Sequence, residues 1–101
     1  MKHIQTWQQE LSDASGKKFP DNKKWSDQDR ILSIMRQVAA IGGAVQKEQG
    51  LYQTVKHEHQ NANHWLGILV SDILILCAKR KVNVEKELQL VLDWFNQPAD
   101  K

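Results

Sequence analysis

The stretch "GILVSDILILCA", residues 67–78, places a carboxylate in the middle of an apolar run. An unpaired charge is costly to bury, so another group must compensate Asp72. The apolar residues of 65–78 cover nearly the whole circumference of a helix, which predicts that this helix is buried on every side. In a chain of four such helices, the other three can hardly surround the fourth. A second chain is therefore the simplest cover, and we expect an interface above ~2,000 Å² in total.

The region before this run predicts one helix and a loop. Ile4, Trp7 and Leu11 have helical spacing, and Gly16 is expected to end the helix they define. The following "GKKFPDNKK" is typical of a loop around Pro20. We therefore assign residues 1–25 to an N-terminal helix and loop.

The boundaries of three further helices are also predicted. Ser26 is a candidate N-cap for a second helix whose apolar stripe continues to Gly50. The polar segment after it should become the third helix somewhere in 55–63. Asn83 is a candidate cap for the last helix, and Pro98 should follow its end. No stretch alternates like a strand, so the fold class is all-α, a dimeric four-helix bundle with its core in 26–97.

Composition places the chain among single-domain proteins. It has 101 residues, a formal net charge of +2 and one cysteine, Cys77, which excludes an internal disulfide. The apolar run is shorter than the ~20 residues of a membrane span and contains Asp72, so we expect no membrane partner and a cytoplasmic location. Lysines cluster in 17–24, and basic residues fill 79–81. These clusters alone do not favour nucleic acid, because basic residues commonly form solvated faces.

Two segments resemble a known family. "LSIMRQVAAIGGAVQ", residues 32–46, precedes the apolar helix, and "KVNVEKELQLVLDWF", residues 81–95, follows it. This order is similar to that of the MazG-like all-α nucleotide pyrophosphohydrolases, over roughly residues 30–95. The resemblance implies a bundle in which E-x-x-E and E-x-x-D on antiparallel helices bind magnesium. The metal would activate a water that cleaves a nucleoside triphosphate into monophosphate and pyrophosphate.

The chain departs from the family at the metal ligands. Non-acidic residues occupy the positions that match the four acids: Gln37, Ala40, Trp65 and Ile68. A second register aligns Asp72 with the family aspartate, but Leu69 then replaces a glutamate. The resemblance therefore implies a catalytically degenerate relative with no catalytic residue, no metal ligand and no cofactor.

Three functions remain open from the sequence. The first is a binding or assembly module, a homodimer or higher homo-oligomer, with a pocket for a nucleotide-like molecule at Gln37, Trp65 and Asp72. The second is an active Mg²⁺-dependent pyrophosphohydrolase with relocated acids. The third is a helical adaptor or nucleic-acid accessory protein that uses the lysine clusters.

Two smaller patterns carry a structural and a functional interpretation. His57, Glu58, His59 and His64 could hold a transition metal, but their spacing matches no metal motif and favours a solvated helix entry. Gly42-Gly43 favours close helix packing over room for a flat ligand.

The partner of Asp72 is predicted from helix geometry. If the second and third helices are antiparallel and Ile68 faces Gln37, one turn further along faces Ser33 and Arg36. We expect Arg36, Ser33 or both to hold the carboxylate, because a guanidinium can satisfy both carboxylate oxygens.

Overall fold

The computed structural model describes residues 2–48 and 61–98. All regular secondary structure in these residues is helical, and they contain no strand. The elements are α1 (Ile4–Lys18), a 3₁₀ helix (Pro20–Lys24), α2 (Asp27–Glu48), α3 (Ala62–Lys79) and α4 (Val84–Phe95). The prediction of an all-α fold with four α-helices is confirmed.

The apolar helix α3 is the centre of the arrangement. α1 and α2 both pack on α3, while α4 contacts α1. α2 and α3 are antiparallel: the start of α2 meets the end of α3 at Asp27 and Arg80. At the other end, a carboxylate oxygen of Glu48 accepts from the backbone N–H of Ala62 at 3.2 Å. This hydrogen bond satisfies one of the free N–H groups in the first turn of α3.

Side-chain caps begin three of the helices. Ser26 and Asp29 form a reciprocal capping box, in which the Ser26 N–H donates to Asp29 and the Asp29 N–H donates to the Ser26 hydroxyl. Asn83 accepts from the N–H of Lys86, so both predicted caps are confirmed. Asn61 caps α3 in the same way, inside the window where the sequence predicted that helix to begin.

The prediction that Gly16 ends the first helix is wrong, because α1 continues to Lys18. A side chain at position 16 would come within 2.8 Å of the Lys23 side chain. The missing side chain thus leaves room for the flexible end of the Lys23 side chain. This close approach between two elements is not visible in the local pattern, which records only the poor helix propensity of glycine.

α3 ends in a Schellman motif without a glycine. The N–H of Val82 donates to the carbonyl of Cys77 at 2.9 Å, and the N–H of Lys81 donates to that of Ala78 at 3.1 Å. Lys81 has a φ of 57°, the left-handed conformation that glycine adopts without steric cost. The chain then turns directly into α4.

The core that one chain buries is small. Within the described ranges, the buried hydrophobic residues are Ala44, Ala62 and Ile75. Large apolar side chains stay exposed on every α-helix, and on α3 they are Leu66, Val70 and Ile73. The chain itself therefore leaves part of α3 uncovered. Among the described helices, α3 is also the one long and apolar enough to cross a membrane, a test that core helices of soluble proteins pass as well.

An ionic clamp joins the start of α2 to the end of α3. Arg80 donates to Asp27 at 2.6 Å, and the Lys79 ammonium lies 3.5 Å from the same carboxylate. Lys79 also donates to the carbonyl of Trp25. The hydrogen bond from Arg80 lowers the pKa of Asp27 from its ordinary value of 3.8, despite opposing desolvation. The Ser26 N–H and hydroxyl lower the pKa of Asp29 as well.

Replacing Lys81 with glycine is expected to stabilise the protein by about 0.5–1 kcal/mol. The substitution removes the steric cost of a left-handed Cβ, which exceeds the entropy that glycine gains in the unfolded chain. Thermal or urea unfolding measures the change. Lys86→Gly, inside α4, is the matched control and should destabilise by about 1 kcal/mol. Equal losses from both substitutions would contradict the left-handed turn.

The clamp should also give the stability an acid dependence. Because the folded pKa of Asp27 is lowered, its contribution is complete above the unfolded pKa and is lost as the pH falls through the lower folded value. Asp27→Asn should therefore reduce the melting temperature at neutral pH and change it little near pH 2. A substitution effect that is the same at both pH values would contradict the clamp.

Candidate functional site

Asp72 lies midway along α3, on the side that faces α2, and it is buried. Ile68 and Ile75 lie about one turn before and after it on the same side of the helix. The carboxylate is therefore surrounded along its own helix by apolar side chains. Its charge must be neutralised from a neighbouring helix.

Three side chains of α2 donate hydrogen bonds to this carboxylate, and one of them, Arg30, carries the neutralising charge. Arg30 donates to one carboxylate oxygen of Asp72 at 3.0 Å. Ser33 donates to the other oxygen at 3.4 Å, and the Gln37 amide also donates to that oxygen. The spacing of three and then four residues puts all three donors on one face of α2. The side chains of Arg30 and Asp72 are 9% and 11% exposed, so the ion pair is largely removed from water.

The predicted ion pair of Arg36 with Asp72 is corrected to one of Arg30 with Asp72, whereas the predicted contact with Ser33 is confirmed. Gln37 itself reaches Asp72, so the donors lie on the face of α2 that carries Gln37 and not on the one that carries Arg36. Arg30 then completes the face, seven residues before Gln37. Arg36 lies about 100° around the helix from Gln37 and is exposed.

Arg30 is held by the start of its own helix. The guanidinium carbon lies 4.8 Å from the centroid of the Trp25 ring, a cation–π contact. Trp25 precedes the Ser26 cap and Arg30 is the fourth helical residue, which are the two positions of a hydrophobic staple. Here the residue that packs on Trp25 is a cation and not an apolar side chain. Arg30 thus contacts an indole ring as well as the carboxylate.

A cleft of about 550 Å³ opens beside this cluster, between α1, α2 and α3. The cluster residues form one part of its wall. Apolar and weakly polar side chains of α1 and the 3₁₀ region form another, among them Leu11, Ser15 and Phe19. The second amide atom of Gln37, Oε1, is buried and has no hydrogen-bond partner. Since Nε2 must face the carboxylate, Oε1 is left as an unused acceptor.

Two of the three predicted ligand-binding residues lie together. Gln37 and Asp72 are in direct contact, but Trp65 is not part of the cleft wall. Trp65 precedes Asp72 by seven residues, about 10 Å along the helix axis. Its indole Nε1 is buried without a hydrogen-bond partner. The structure therefore separates Trp65 from the pair that the sequence grouped it with.

The candidate metal ligands are only partly described. His57, Glu58 and His59 lie outside the described residues. His64 is exposed in the first turn of α3, and Glu48 contacts the start of that helix. Within 2–48 and 61–98, no group of three His, Cys, Asp or Glu side chains converges.

The residues around Asp72 do not fit a magnesium ion. Mg²⁺ requires oxygen ligands in an octahedral arrangement and is usually held by carboxylates. Here one carboxylate accepts three donors, and the adjacent guanidinium would repel a cation. The positions matched to the family's acids carry no carboxylate, as Gln37 illustrates by donating to Asp72. The arrangement is that of a neutral structural network.

Sequence reasoning missed two buried polar residues. Arg30 is the cation of the network, and its spacing of three from Ser33 could have indicated it. Gln8 on α1 is buried, and its amide nitrogen lies 3.5 Å from the carbonyl of Val82. The pattern of α1 gives no reason to select Gln8, because its partner is 74 residues away.

Removing either member of the buried pair should destabilise the protein strongly. Arg30→Ala and Asp72→Ala should each cost about 3–5 kcal/mol, because each strands the opposite charge in an apolar setting. The double variant should lose much less than the sum of the two. Denaturant unfolding of the four proteins measures the coupling.

Arg36→Ala is the matched control for this cycle. Arg36 is on the same helix but exposed, so its loss should change the stability by no more than about 0.5 kcal/mol. Strictly additive single effects would contradict the pair, and so would an Arg36 effect as large as that of Arg30.

The chain was compared with protein-family models, with curated proteins and with solved structures, and none of these matches it.

Proposed function

We propose that this chain is a non-catalytic assembly module of MazG-like architecture. The proposal is carried by the state of Asp72, a carboxylate on the cleft wall. Its two oxygens accept from Arg30, Ser33 and Gln37, which occupies three of its four acceptor positions and places a guanidinium where a metal would have to approach. In this interpretation the guanidinium of Arg30 stands where the family has its metal ion. The role of the network is to join two helices.

The exposed apolar surface supports the assembly part of the proposal. Large hydrophobic side chains are exposed along α2, α3 and α4, while the described core holds few buried ones. Exposed apolar patches of this extent are typical of surfaces that bind another protein. A homodimer or higher homo-oligomer would cover them.

Two other functions are less well supported. An active pyrophosphohydrolase would need several acidic residues in the cleft. Among the fourteen residues described in the cleft wall, Asp72 is the one carboxylate. A nucleic-acid accessory role would use the basic cluster that ends α3. Lys79 and Arg80 in that cluster are already bound to Asp27.

A pocket for a nucleotide-like molecule is compatible with the same proposal. The unused acceptor Oε1 of Gln37 could receive an N–H from a ring with the polarity of a nucleobase. The apolar side of the cleft, including Leu11 and Phe19, would contact the ring face. A nucleotide screen by thermal shift tests this, since a specific ligand raises the melting temperature by mass action.

The catalytic part is tested by pyrophosphate release. The purified protein with Mg²⁺ and ordinary or modified nucleoside triphosphates should release none above the buffer rate, because no cluster among the described residues is placed to hold the metal. Asp72→Asn is the matched variant, and it should leave that background unchanged. Turnover that Asp72→Asn abolishes would overturn the proposal and favour the enzyme.

A further inference from the structure

Four of the five exposed large apolar residues of α2 form one strip, and the fifth, Leu32, lies about 100° around the helix from Ile31. Ile31, Met35, Val38 and Val45 follow the spacing of one helix face, with exposed fractions of 36–61%. Gly42 occupies the remaining position of that spacing. With about 100° per residue, the strip lies some 120° around the helix from Gln37, which faces α3.

α3 carries a matching strip. Leu66, Val70 and Ile73 are 42–53% exposed and lie some 100–160° around the helix from Asp72. Ser71 and Leu74 line a cavity with α1 residues, and they lie around α3 from Asp72 in the opposite sense of rotation. Leu66 and Ile73 therefore face away from α1, whereas Val70, at the edge of the strip, also lines that cavity.

The two strips belong to one continuous surface. Because α2 and α3 are antiparallel, the same sense of rotation on both helices leads to the same side of the pair. Half-buried apolar residues fill the seam between the strips: Ile34, Ile41, Leu69 and Leu76. We call the surface formed by these strips and the seam the α2–α3 face. It lies opposite the cleft and α1.

The size and charge of this face suit a protein interface. No charged residue belongs to the strips or to the seam. The seven exposed side chains of the strips present about 600 Å², close to the ≈800 Å² per partner of a standard interface once rim residues are added. A partner must be equally apolar there, because the face offers nothing to compensate a charge.

Gly42 is a separate observation that points to a partner. A side chain at position 42 would meet nothing within 4 Å in its own chain. A glycine inside a helix costs about 1 kcal/mol relative to alanine. No contact within the chain requires this glycine, whereas close approach of another helix would.

From these observations we propose that the α2–α3 face binds the same face of a second copy of this chain through a two-fold axis. The inference rests on the proposed assembly function and names its surface. The described residues of one chain bury few large apolar side chains, so a partner that is present wherever the chain is made would add most to its stability. A second copy always meets that condition. Two helices from each copy then form a four-helix core.

Charge substitution on the face tests the proposal. Val38→Glu places a carboxylate in the α2 strip, and we expect it to raise the dimer Kd by roughly a hundred-fold or more, because the charge has no partner in an apolar interface. Light scattering and sedimentation of the full chain at micromolar concentration measure this. Wild-type protein should be dimeric under the same conditions.

Val91→Glu on α4 is the matched control. Val91 is 45% exposed and Val38 is 53% exposed, and the substitution is identical. The control should remain dimeric. A dimer that survives Val38→Glu but dissociates with Val91→Glu would move the interface to α4 and overturn the α2–α3 proposal, while leaving the assembly function standing.

Gly42→Leu keeps the test decisive if Val38→Glu does not fold. Leucine favours the helix and has open space in its own chain, so the variant should fold with full helical content. It should weaken the dimer by blocking close approach. An undisturbed dimer with higher stability would overturn the proposal.

Two outcomes with the wild-type protein would also overturn it. A folded monomer at micromolar concentration would remove both this inference and the assembly function. A monomer that sediments with phosphatidylcholine vesicles would show that the face is covered by lipid. Mg²⁺-dependent pyrophosphate release by a dimer sensitive to Val38→Glu would leave the face proposal intact and reject only the non-catalytic function.

Discussion

The ion pair between Arg30 and Asp72 determines how α2 meets α3, and the cleft depends on that arrangement. A carboxylate in the most apolar helix is tolerable only if a neighbour supplies donors for both oxygens. The geometry meets this requirement at one register, where Arg30, Ser33 and Gln37 all reach Asp72. A shift by one residue along α2 would turn these donors away and leave the charge unpaired. Apolar packing alone is less selective, because many neighbouring registers bury similar areas.

Polar contacts at the two ends of the hairpin agree with that register. Asp27 binds Arg80 at one end, and Glu48 accepts from the N–H of Ala62 at the other. The end contacts are solvent-exposed or partly exposed, so each contributes little by itself. Asp72 differs because it is buried and central. The ends therefore support an alignment that the buried network specifies.

The same network is the basis of the proposed non-catalytic function. A metal site needs carboxylates with free lone pairs, while a structural site needs those lone pairs occupied. Asp72 is in the second condition, with a guanidinium held against Trp25 beside it. The exposed apolar residues on the far side of α2 and α3 are the surface that the described helices leave uncovered.

The sequence by itself determined the four helices and the caps that begin α2 and α4. Helical spacing, Ser26 before α2 and Asn83 before α4 are local features, because caps and amphipathic stripes act within a few residues. It also determined that Asp72 needs a partner, since the apolar run around it is contiguous. Tertiary structure decided which residue pairs with Asp72. Arg30 replaced the expected Arg36 because helix register depends on contacts 35–42 residues apart, which local spacing does not encode. The contact of Gly16 with the Lys23 side chain likewise appears only in the folded chain, because it joins α1 to the 3₁₀ helix.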